Sequence, residues 1–129
     1  MPATILPICG KTLTAVKGID ASDVWFYCDD GTVYRMFHYQ DCCESVSIAQ
    51  VDGDIADLIG APLSMAEESF ESDEDYDYGS RGWTFYRFAT VKGYVTIRWI
   101  GESNGYYSIG VNFDQESVQD YESEQDYDA

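Results

Sequence analysis

Trp83-Thr-Phe-Tyr-Arg-Phe-Ala-Thr-Val-Lys-Gly-Tyr-Val-Thr-Ile-Arg-Trp-Ile100 is the stretch that decides the fold class. Trp83–Thr90 and Tyr94–Ile100 read as two strands joined by a turn at Lys92-Gly93. Successive strand side chains alternate, so Val95, Ile97 and Trp99 share one face while Thr96 and Arg98 share the other. Ser103-Asn104-Gly105 supplies the next turn, and Tyr106–Phe113 completes an expected C-terminal three-strand antiparallel meander.

The same period appears upstream. Thr12–Lys17 alternates as a first strand, and Val24–Cys28 and Thr32–Tyr39 flank Asp29-Asp30-Gly31. Asp-Gly between two aromatic-rich runs is a hairpin signal, because both turn residues tolerate positive φ. Ser45–Val51 follows as a strand with Val46 and Ile48 on one face. Asp54 is placed to cap a short helix over Ile55–Ile59, stopped by Gly60 and Pro62. Met65–Glu71 reads as a second helical turn. The expected fold class is therefore α+β: about six strands, mainly antiparallel, with one or two short helices.

A chain of 129 residues with 45% hydrophobic content supports one core, not two. The expected domain is residues 1–113, with an acidic loop at about 67–79 and an acidic tail over 114–129. Net charge is −17, from 24 acids against 7 bases. Glu67, Glu68, Glu71, Asp73, Glu74, Asp75 and Asp77 form one run without Lys or Arg. Asp114, Glu116, Asp120, Glu122, Glu124, Asp126 and Asp128 form the other, and outside the two runs ten acids face seven bases. Such runs act as interaction segments or as solubilising ones. Both flank the same strand block, which points to a shared role. This field opposes direct binding of nucleic acid or of an anionic membrane, and it attracts a basic partner. No run of 18 apolar residues occurs, and the Pro-containing N-terminus lacks a basic leader, so a cytoplasmic location is expected. Cys9, Cys28, Cys42 and Cys43 include no CxxC pair and are expected as free thiols.

His38-Tyr-Gln-Asp-Cys-Cys-Glu44 is the densest polar cluster. Metal binding needs converging ligands, whereas adjacent residues of an extended chain point to opposite faces, so no metal or cofactor is expected. A Cys–His nucleophile pair would need His38 within reach of Cys42 or Cys43, and no acyl-transfer motif surrounds them. Arg98 with the hairpin tip Ser103-Asn104 is a second polar group suited to a small ligand. Together these define a candidate pocket of His38, Asp41, Glu44, Arg98, Ser103 and Asn104. Asp52-Gly53-Asp54 is too short for a calcium loop. No complete catalytic signature is present.

His38-x-Gln-Asp-Cys-Cys-Glu44, Gly53-Asp-x-x-Asp-Leu-x-Gly-x-Pro62, Ala66-Glu-Glu68, Trp83-Thr-Phe-Tyr86, Val95-Thr-Ile-Arg-Trp99 and Gly101-x-Ser-Asn-Gly-Tyr-Tyr-Ser108 occur in this order. Together they resemble a family of small proteins of unknown function from tailed bacteriophages and prophages. The resemblance covers about His38 to Phe113; it implies a phage-type origin and a bacterial host cell, and assigns no activity. With the localised acid, it leads to an expected DNA-mimic inhibitor of a basic nucleic-acid-binding host defence protein, such as a CRISPR effector or restriction nuclease. The contact residues would be Glu67, Glu68, Glu71, Asp73, Glu74, Asp75, Asp77, Asp120, Glu122, Glu124 and Asp126. The alternative is a small-ligand or nucleotide-binding protein, or an enzyme, using the His38/Asp41/Glu44/Arg98 cluster.

Overall fold

In the computed structural model the described residues are 3–39, 44–73, 79–103 and 109–116. They form nine strands: β1 (Thr4–Ile5), β2 (Leu13–Lys17), β3 (Val24–Cys28), β4 (Val33–Phe37), β5 (Glu44–Asp52), β6 (Met65–Ser72), β7 (Ser80–Thr90), β8 (Gly93–Ser103) and β9 (Asn112–Glu116). A five-stranded sheet has the order β1-β6-β7-β8-β5, and a four-stranded sheet the order β2-β3-β4-β9. Every pairing between these strands is antiparallel. The architecture is a β-sandwich, which corrects the expected α+β class with its six strands and helices.

Three elements account for the correction. Ile55–Leu58 is a 3-10 turn and not an α-helix; Asp54 does cap it, accepting from Ala56 N at 3.0 Å. Met65–Glu71 is not helical but lies in β6, paired with β7 from Met65↔Ala89 to Ser72↔Gly82. Met, Ala and Glu favour helix locally, but only strand pairing covers the edge of the eleven-residue β7. The expected last strand, Tyr106–Phe113, does not extend the meander: residues 104–108 lie outside the described set, 109–111 are irregular, and β9 pairs with β4 in the other sheet. The meander is β6-β7-β8 instead.

The sheets meet over Trp99, Tyr86, Phe26, Phe88, Leu13 and Met36, all fully buried. Burying each such side chain stabilises by roughly 1.5–3 kcal/mol relative to exposure. Phe113 explains why the chain changes sheets. Its ring lies 5.7 Å from both Phe26 and Tyr34 and 5.9 Å from Tyr86, filling the gap between layers. Gly82 and Gly101 face each other across β7 and β8; Gly82 makes room for the Phe70 ring and Gly101 for the crossing. A Cβ on Gly101 would stand 2.7 Å from Ile109 Cβ and 2.9 Å from Ile109 O.

The β3–β4 hairpin forms as expected, by a different turn. Only Gly31 takes positive φ (88°), not Asp30. Asp30 instead accepts from Thr32 N at 2.9 Å, Thr32 Oγ1 at 2.6 Å and Lys11 Nζ at 2.6 Å. The hydrogen bond from the Lys11 ammonium, and then those from Thr32, hold the Asp30 carboxyl well below the usual carboxylate range.

Candidate functional site

His38 follows β4 directly, and Glu44 opens β5. β4 belongs to the small sheet and β5 to the edge of the large one, so the two residues close one end of the sandwich. His38 Nε2 lies 2.7 Å from Glu44 Oε1, and Nδ1 lies 2.6 Å from the carbonyl oxygen of Gly110. Both side chains are buried, at 5% and 2% exposure. A carbonyl only accepts, so Nδ1 donates to Gly110. One proton then joins Nε2 to the Glu44 carboxyl, as imidazolium with carboxylate or as imidazole with carboxylic acid. Ser103, also buried, is the cross-strand partner of Glu44.

This arrangement decides what His38 can do. Each ring nitrogen already has a partner inside the protein, so neither is available to a substrate or to a thiol. His38 is a clamp joining β4, β5 and the 109–111 crossing. Cys42 and Cys43 lie outside the described residues, as do Asp41 and Asn104. Of the two described thiols, Cys9 is partly buried with its Sγ 3.9 Å from Leu63 O, and Cys28 is buried. Burial pushes the Cys28 thiol above its ordinary value. A protonated, buried thiol is a poor nucleophile.

The sequence-predicted pocket does not assemble as one site. His38, Glu44 and Ser103 gather at one end of the inner face of the sandwich. Arg98 sits on the opposite, outer face of the large sheet, because it has the other strand parity from Trp99, Gly101 and Ser103. Beside His38 lies a cleft of about 340 Å³, lined in part by Asp20, Ser22, Asp23, Arg35 and Ser47. Arg35 Nε and Nη2 each lie 2.7 Å from an oxygen of Asp23. Its guanidinium lies 4.9 Å from the Trp25 ring and 4.2 Å from the Phe37 ring. Sequence reasoning missed this pair; the available signal was a cation alternating with aromatics in two strands joined by a short turn. Ser22, in the left-handed region at φ 53°, accepts from Ile48 N at 3.0 Å and ties the cleft wall to β5.

The acidic run at 67–79 is not all loop. Glu67, Glu68 and Glu71 belong to β6, which splits them by parity. Glu67 and Glu71 share the outer face and make no ion pair among the described residues. Glu68 is the cross-strand partner of the buried Tyr86. Burial first, then Glu68 and Asp114, push the Tyr86 hydroxyl far above the usual tyrosine range. Asp73 forms an ion pair with Arg81. The expected tail likewise begins inside a strand, since Asp114 and Glu116 belong to β9. Glu74, Asp75, Asp77, Asp120, Glu122, Glu124 and Asp126 lie outside the described residues.

The two acidic runs attach at opposite ends of the sandwich. Asp73 N bonds Arg81 O, and the neighbouring Ser80 pairs with Ser103, which pairs with Glu44 at the His38 end. Glu116 pairs with Val33, at the far end of β4. No helix among the described residues is long and apolar enough to cross a membrane. Among those residues, no group of three His, Cys, Asp or Glu side chains is placed to hold a metal ion.

Residues 7–113 match the model of a domain of unknown function, DUF7448. No curated protein and no solved structure matches the chain. The chain belongs to the DUF7448 family.

Proposed function

We propose that the protein is an acidic interaction module: a phage-type DNA mimic that presents carboxylates to the basic nucleic-acid channel of a host defence protein. A CRISPR effector or restriction nuclease is the kind of target such a mimic suits. The observation that carries this reading is the outer face of β6. Glu67 and Glu71 stand there four residues apart, roughly 13 Å by strand rise, and neither forms an ion pair among the described residues. Three further carboxylates follow at 74–77. A partner whose Lys and Arg normally contact phosphates would meet this row in place of a nucleic-acid backbone. The phage-type motifs of residues 38–108 support the host setting. The alternative, chemistry at His38, draws no support from a ring whose two nitrogens are both engaged.

The test replaces Glu67, Glu71, Glu74, Asp75 and Asp77 with their amides, leaving Glu68 at Tyr86 and Asp73 at Arg81 in place. Immobilised wild-type protein is expected to retain a nucleic-acid-binding protein from bacterial lysate and release it to duplex DNA or moderate salt. The amide variant is expected to retain none. Equal retention by both forms, or a complex that neither DNA nor salt disturbs, would count against the mimic.

A further inference from the structure

Arg81, Arg87 and Arg98 are three of the chain's four arginines, and strand parity puts all three on the outer face of the large sheet. Arg81 is paired with Asp73. Among the described residues the other two form no ion pair with a carboxylate. Glu67 is the cross-strand partner of Arg87, and Asp52 stands two residues along β5 from Gln50, the partner of Arg98. Neither acid forms an ion pair with them.

Arg87 and Arg98 are diagonal neighbours: Arg87 pairs with Thr96 and Arg98 with Phe85. Diagonal positions on adjacent strands lie about 7–8 Å apart, within reach of one shared group for two long side chains. Arg87 is held in place from two sides. Its Nη1 donates to Ser69 Oγ at 2.9 Å, and its guanidinium carbon lies 5.1 Å from the Phe85 ring. Arg98 provides the independent observation: its Nε is buried and has no hydrogen-bond partner, although the residue as a whole remains part-exposed. Buried charged donors are ordinarily satisfied, and an orphan in a folded protein points to a missing acceptor.

We propose that Arg87 and Arg98 form a binding site for the phosphate group of a small ligand on the outer face of β7 and β8. Two neighbouring guanidiniums carry two positive charges, which one phosphate dianion balances and one carboxylate does not. The two forks offer donors to more than one oxygen of the tetrahedral group. The ligand is small because Glu67, Glu71 and Asp52 share this face and repel a polyanion running across it. Trp83, two residues before Phe85 on the same face, gives an aromatic surface beside the anion for a ligand that carries a base.

The experiment follows the Nε–Hε resonances of Arg87 and Arg98 and the backbone amides of β7 and β8 in the full chain while inorganic phosphate, and separately adenosine monophosphate, is added. A saturable shift with either probe is expected, with affinity falling roughly tenfold or more in Arg98→Gln and in Arg87→Gln. Tighter binding of the nucleotide than of phosphate assigns a nucleotide-type ligand. Equal binding assigns the phosphate group alone, and both results support the site. Absence of a saturable shift at millimolar concentration of both probes, or binding undiminished in Arg87→Gln, overturns it. Since Arg98 Nε makes no internal bond, Arg98→Gln is expected to keep the wild-type melting temperature. Should it fail to fold, the wild-type titration and Arg87→Gln still decide the matter. Neither variant alters the acids of β6, so this result is independent of the partner-capture experiment.

Discussion

Glu44 and His38 show how one buried pair converts sequence proximity into architecture. The six-residue spacing reads as chemistry in a linear sequence; in the fold it becomes a strut between two sheets. Glu44→Ala leaves a nearly buried imidazole nitrogen without its partner. Truncating one member of a buried pair costs about 3–5 kcal/mol, so urea denaturation is expected to show a loss of that size. A loss under about 1 kcal/mol would show that the clamp is dispensable. Tyr86 gives a second expectation, in pH. Burial raises its hydroxyl far above the ordinary tyrosine value of 10.0, so it stays protonated in the folded state while the unfolded residue ionises. The folded chain then binds more protons than the unfolded one, and stability falls as pH rises above about 10. Tyr86→Phe is expected to flatten that slope by about 0.7 kcal/mol per pH unit on average, measured by urea denaturation between about pH 9 and 11.

At the level of elements, turns and crossings separate two uses of glycine. Gly31 meets nothing within 4 Å of an added Cβ, and its only demand is a φ of 88°. Gly31→Ala is therefore expected to cost about 1–2 kcal/mol, the penalty for an L-residue in the left-handed region. Gly101 has no such φ, but Ile109 lies against it on the path back to the small sheet. Gly101→Ala is expected to cost about 1–3 kcal/mol by overpacking and to disturb the Ile109 and Phe113 signals in NMR. A cost at Gly101 without any change at Phe113 would mean that the crossing is not set by this contact. The β6 strand makes the related point about acid. Alternation sends Glu67 and Glu71 outward and Glu68 toward Tyr86, so one run of carboxylates occupies two different environments.

For the whole molecule, charge dominates. A net charge of −17 on a 129-residue chain works against compaction through self-repulsion, which salt screens. Raising NaCl from about 0.02 to about 0.5 M is expected to raise the melting temperature by several degrees, read by circular dichroism. A flat response would mean that the carboxylates are far enough apart not to interact. The bases are distributed as unevenly as the acids. Three of the four arginines share one sheet face, while the acidic runs attach at opposite ends. The outer face of the large sheet thus mixes arginines with Glu67, Glu71 and Asp52 and is not a uniformly acidic surface.

Local alternation was enough to identify β2, β3, β4, β5, β7 and β8, because a half-buried strand must repeat every two residues. The Asp54 cap was legible for the same local reason: its carboxylate reaches a backbone N–H two residues away. β6 was not legible, since Met-Ala-Glu-Glu favours helix until a long neighbouring strand needs its edge covered. β9 was misplaced because sequence order puts it after β8, while Phe113 gains more burial between the sheets than beside β8. The candidate pocket divided on parity. His38 and Glu44 meet across the sandwich end, whereas Arg98 is one residue out of phase with Trp99 and faces outward. Composition by itself determined that the chain is acidic, and local alternation that it is rich in strands. Which described carboxylates form ion pairs, and that Arg98 Nε lacks an acceptor, was decided only when distant strands came into register, because partners and burial are properties of pairing in space.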